Sequence, residues 1–154
     1  CLGFVKRNKN SEQIAEEESI QISQFNIDGR TTLTISNTIY IGNNLKELEN
    51  NFYDIKIVNR GGEVDVYLNK LWHKDYGDDY IQDDYLAKIC RELSSKLNAD
   101  NEVEQFDYFL YKYIKDNYVK VRLHEQIETI KTDDFNLKFE LDNNVVKLTI
   151  QRGN

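Results

Sequence analysis

Two stretches of strict alternation enclose a stretch of helical periodicity, and this arrangement limits the fold more than any other feature of the chain. In "YDIKIVNRGGEVDVYLNKLW" Ile55 and Ile57 alternate before a turn, and Val64, Val66 and Leu68 alternate after it. In "FNLKFELDNNVVKLTI" Leu137, Phe139 and Leu141 face Val146, Leu148 and Ile150 across "DNN". Side chains on a strand point alternately to its two faces, so each stretch reads as a hairpin with one apolar side. "NRGG" and "DNN" hold the residue types that tolerate positive φ in tight turns. No GxGxxG or GxxxxGK[ST] surrounds the Gly pair, which reads as a turn and not as a phosphate loop.

An earlier segment, "SIQISQFNIDGRTTLTISNTIYIG", alternates Ile20, Ile22 and then Leu33, Ile35, with a turn at Asp28 to Arg30. A further pairing is expected around Ser36 to Thr38. "NNLKELENNF" places Glu47 three residues after Asn44, the spacing of a capping box opening a short helix.

Between the two hairpins the period changes. "DDYIQDDYLAKICRELSSKLN" carries Tyr85, Leu86, Ile89, Cys90, Leu93 and Leu97 on one helical stripe, with Asp79 and Gln82 as its capping box. "NEVEQFDYFLYKYIKDNY" repeats the design, with Asn101 and Glu104 as cap and Val103, Phe106, Phe109, Leu110, Tyr113 and Ile114 on one face. The short "NAD" link favours an antiparallel pair. "VKVRLHE" then alternates Val119, Val121 and Leu123 and predicts a return to strand. The expected fold is α+β: an antiparallel sheet built from hairpins, with a central antiparallel helix pair packed on one face. A single domain over 20–154 follows, without the strand–helix repetition of a doubly wound nucleotide fold.

Composition narrows the function classes. Of 154 residues, 40% are apolar and 31% charged, a globular balance. The net charge of −7 argues against nucleic acid as a partner, because phosphate binding needs clustered Lys and Arg. Cys1 and Cys90 are too few for a disulfide framework, and no apolar run approaches the length of a membrane span.

The clusters that could carry chemistry have plainer readings. In "HKDYGDDYIQDDY" Asp75, Asp78 and Asp79 are weak metal candidates, but Gly77 precedes most of the carboxylates and the calcium-loop signature is not met. Carboxylates in a helix's first turn also suit its dipole without any metal. His73 and His124 stand far apart with no zinc spacing, and Cys90 sits on an apolar stripe as a small hydrophobe. Ser94 and Ser95 lack a nucleophile elbow. Asp54, Lys56 and Asp65 alternate on hairpin strands, loosely like a metal-dependent nuclease, and supply an alternative hydrolase reading. No cofactor is expected. The remaining feature is aromatic: Trp72, Tyr76 and Tyr80 near a strand-to-helix junction, and Tyr108, Tyr111 and Tyr118 partly off the second helix's stripe. Tyr and Trp suit recognition surfaces, and these six form the expected partner surface.

The chain begins "CLGFVKRNKN", and residues 1–19 read as a polar tether running from basic to acidic, with a short solvated helix through Ile14 to Ile20 as the rival. A cysteine followed by a polar run resembles the start of a mature bacterial lipoprotein, which implies lipid on Cys1 and anchorage at the outer face of a membrane in the cell envelope. Leu2, Gly3, Phe4 and Val5 depart from the small or polar residues usual there. The flank of a transmembrane helix, or an arbitrary starting point, are the alternatives. The expected function is a membrane-tethered extracytoplasmic binding or assembly module, non-catalytic, whose partner is another protein or an envelope component. A cytoplasmic domain of a membrane protein keeps the same fold, and "KRNK" beside a membrane favours that side.

Overall fold

The structure is a computed structural model, and it describes residues 21–27, 29–70, 83–98, 100 and 103–153. The strands are β1 (Ile22–Ile27), β2 (Arg30–Ile35), β3 (Thr38–Gly42), β4 (Ile55–Asn59), β5 (Glu63–Leu68), β6 (Ile130–Lys131), β7 (Phe135–Asp142) and β8 (Val145–Arg152). A short helix α1 (Leu45–Glu49) lies between β3 and β4, and two long ones, α2 (Asp83–Leu97) and α3 (Phe106–Arg122), between β5 and β6. The strands form one antiparallel sheet in the order β1-β2-β3-β4-β5-β8-β7-β6. Five strands thus meander to β5, the helix pair crosses, and the last hairpin enters with β8 against β5. The α+β architecture read from the alternation is the one observed.

The structure sets the registers that the alternation leaves open. Leu137, Phe139 and Leu141 stand opposite Ile150, Leu148 and Val146, and Ile57 stands opposite Val66. Turn chemistry explains why the hairpins close there. Asn143 and Asn144 both take positive φ, 51° and 67°, as a two-residue turn with the twist of the flanking strands requires. At α1 the Asn44 side chain accepts the Glu47 N–H at 2.9 Å, while Glu47 reaches back to the N–H of Asn43 at 3.3 Å, one residue before the cap.

One face of the sheet meets α2 and α3. Ile41, Ile55, Ile57, Val64, Val66, Leu68, Leu137, Phe139, Val146, Leu148 and Ile150 point to it and are buried with Leu86, Ile89, Leu93, Leu110 and Ile114. Each such side chain contributes about 1.5–3 kcal/mol by leaving water.

Three expectations change. "VKVRLHE" is not a strand. Leu110, Ile114, Tyr118 and Val121 continue the buried stripe of α3 through Arg122, so helical packing outweighs the local alternation of valines. The same helix begins at Phe106, not at an Asn101 cap. Its N-cap Gln105 is left-handed (φ 55°) with no side-chain cap. Val103 lies before the helix, where the buried Asn98 amide donates to its carbonyl at 2.7 Å and accepts its N–H at 3.0 Å. Leu33 and Ile35 alternate as expected, on the face turned away from α2 and α3, since Thr32 is the buried residue of β2. Tyr118 is not a surface residue. It is 1% exposed, and its hydroxyl donates to the Leu68 carbonyl at 3.2 Å, tying α3 to the end of β5.

Candidate functional site

The helices cover only one side of the sheet, so the other side decides what the molecule can present. On that open face the register sets Tyr40 beside Lys56, Lys56 beside Tyr67, and Tyr67 beside Lys147, a row across β3, β4, β5 and β8. Tyr53, just before β4, closes against Tyr40 edge-to-face at 5.7 Å and 63°. The Lys56 ammonium lies 5.5 Å from the Tyr67 ring centroid, 5.6 Å from Tyr40 and 5.9 Å from Tyr53. Lys147 lies 5.6 Å from Tyr67, so that ring sits between two ammonium groups. Each contact of this kind is worth about 0.5–1 kcal/mol at a half-exposed site. Among the described residues no carboxylate pairs with Lys56, and the tyrosine faces are its counter-charge.

The charges around this row are arranged unequally. Burial works to lower the Lys147 pKa, but Asp65, and after it Tyr67, Asp142 and Glu140, outweigh that and raise it above the usual lysine value. Asp142 stands 3.7 Å from Lys147. The Tyr53 pKa is raised, first by burial and then by Tyr40, Tyr67 and Asp142. Asp65, 2% exposed although it opens on this face, pairs through Oδ2 with Arg60 at 2.9 Å. A groove of about 670 Å³ between β1, β2 and α1 adjoins the row at Tyr40 and is lined by Ile22, Leu33, Ile35, Tyr40, Leu45 and Leu48.

The residues singled out in the sequence fall as follows. Tyr108 is exposed and Tyr111 half-buried on α3, with their rings 6.3 Å apart and Lys115 donating to the Tyr111 hydroxyl at 3.2 Å. The structure brings these two together, whereas Tyr118 belongs to the core. Trp72, Tyr76, Tyr80, Asp75, Asp78, Asp79, His73, Cys1 and the tether lie outside the described residues, as does the capping box at Asp79. Asp54 and Asp65, the carboxylates of the hydrolase reading, are held apart. Asp54 is ion-paired with Arg30, whose guanidinium lies 4.6 Å from the ring centroid of Tyr85 on α2, so it belongs to the helix side of the sheet. Asp65 and Lys56 open on the opposite side. Among the described residues no three His, Cys, Asp or Glu side chains gather as a metal site would require. Cys90 is buried on α2, and that burial pushes its thiol up to about 12, away from the thiolate a nucleophile needs.

Sequence reasoning missed Tyr40, Tyr53, Tyr67, Lys56 and Lys147 as a group. The signal was present in the alternation, because Lys56 and Tyr67 are the out-of-phase residues of the clearest hairpin. No family model, curated protein or solved structure matches the chain.

Proposed function

We propose that the protein is a non-catalytic binding module whose recognition surface is the open face of the sheet. The observation that carries this is the row Tyr40–Lys56–Tyr67–Lys147, with Tyr53 beside it. Rings and ammonium groups fixed on the inner strands of a sheet lose little freedom on binding, so their contact area converts efficiently into affinity. Lys56 offers its charge to an acidic group while the rings offer apolar area around it. The partner is accordingly another protein or an envelope component that presents a carboxylate or similar anion within a partly apolar surface. Attachment to a membrane through Cys1 belongs to the same proposal and rests on residues 1–19 alone. The intact mass of the protein extracted from its native membrane tests it, by the presence or absence of added lipid on the N-terminal peptide.

The surface is tested by comparing wild type with the double variant Lys56→Glu/Tyr67→Ser. Both changes lie on the open face, so the helix-side core is untouched and the far-ultraviolet dichroism should match. A partner co-purified from the native envelope by the wild type and lost by the variant supports the reading. A partner retained equally by both overturns it.

A further inference from the structure

The two edges of the sheet differ. At one end β6 is only two residues long and carries Lys131, the kind of short, charged edge that discourages further pairing. At the other end β1 is six residues, "ISQFNI", uncharged throughout, and exposed along nearly its whole length. Among the described residues nothing pairs with its outer side. The inner side is set by the β1–β2 ladder: Ser36 donates to the Gln21 carbonyl at 3.1 Å, and Thr32 bonds both the N–H and the C=O of Phe25. By the alternation of a strand, the backbone groups of residues 21, 23, 25 and 27 turn inward, and those of Ile22, Gln24 and Asn26 turn to the open edge.

We propose that β1 is a self-association edge, pairing antiparallel with β1 of a second copy about a two-fold axis. The occupant is argued from charge and register. In a chain of net charge −7 two copies repel, and β1 is a full-length edge with no charge to oppose its own image. An isologous contact needs a self-complementary strand. A two-fold axis through Phe25 keeps both helix layers on one side of a continuous sheet. It sets Phe25 against Phe25 of the second copy and Ser23 against Ile27 on the helix side. On the open face it sets Gln24 against Asn26, with the outward N–H and C=O of both used. Phe25 is 44% exposed at the rim of an apolar cleft of about 220 Å³ lined by Ile27, Ile39, Ile57, Ile89 and Leu93. A facing Phe25 would cover that rim. The edge pairs through the backbone of β1, whereas the Tyr–Lys row stands on β3, β4, β5 and β8, so each proposal is tested by its own variants.

The test is sedimentation equilibrium of the full chain over a wide concentration range, for wild type and Gln24→Pro. Proline at residue 24 removes an outward N–H and leaves the inward ladder to β2 intact, a tolerated edge position. The wild type should dimerise reversibly, and Gln24→Pro should weaken association by at least about tenfold with its dichroism unchanged. In a Cys1→Ser background, Phe25→Cys should oxidise to a covalent dimer, because non-hydrogen-bonded opposite residues lie within disulfide range. A wild type that stays monomeric throughout, a Gln24→Pro variant that associates as well as wild type, or a dimer that Phe25→Cys does not cross-link would each overturn the proposal.

Discussion

Asn98 shows how much one side chain decides in this chain. It is 5% exposed, and its amide satisfies both the N–H and the C=O of Val103, which no helix satisfies because α3 begins only at Phe106. Asn98→Ala leaves both groups of a half-buried residue unpaired and should cost about 1–3 kcal/mol, read as a lower urea midpoint with an unchanged slope. His124 is the opposite case. It ends α3 at φ 66°, with Glu125 N–H on the Lys120 carbonyl and His124 N–H on that of Val121, the bonding of a Schellman turn. His124→Gly should raise stability by about 0.5–1 kcal/mol, since glycine enters this backbone region without the side-chain penalty. Cys90 makes stability depend on pH. Its pKa is raised from 9.0 to about 12 by burial, so the folded state keeps a proton that the unfolded chain gives up. The stabilisation is whole below pH 9 and falls as pH climbs towards 12, with the raised Tyr53 and Tyr113 pushing the same way. Urea midpoints at successive pH values should show the fall, and Cys90→Ala should show less of it. A thiol reagent should leave Cys90 unmodified until the protein unfolds.

At the scale of elements, close backbone approach fixes what the end of the sheet can accept. A Cβ on Gly153 would lie 2.4 Å from the Asp133 carbonyl oxygen and 2.9 Å from the Asp134 carbonyl carbon, both backbone atoms with little room to yield. Gly153→Ala should therefore part the end of β8 from the turn before β7 and cost about 1–3 kcal/mol, measurable as a lower Tm. Elements were unevenly legible in the sequence. The two strong hairpins were readable because alternation, apolar side and turn residues agreed over more than ten positions each. The end of α3 was not, because the seven residues of "VKVRLHE" fit period two and period 3.6 alike, and only the distant Leu110 and Ile114 show which stripe Val121 belongs to. The start of α3 was lost for another reason. Asn101 and Glu104 have the spacing of a cap, but the buried Asn98 holds Val103 outside the helix, a tertiary effect with no local signature.

For the whole molecule, the sheet joins residues that the sequence keeps far apart. Tyr40, Lys56, Tyr67 and Lys147 become neighbours only because β8 enters beside β5 after the helix crossover, and strand order is not written in alternation. A one-sided sheet was legible; which polar face would gather the aromatics was not. Lys56→Ala removes three ring contacts that share one ammonium and so do not add in full, and it should lower stability by about 1–2 kcal/mol, while its effect on partner binding should be larger. The most direct measurement is photo-cross-linking in the native envelope, with a photoreactive phenylalanine analogue placed at position 67 on the open face or at position 108 on α3. Cross-links to a distinct partner from position 67, and none from position 108, are the expected result. Partner adducts from position 108 alone would contradict the account and move recognition to the helix layer.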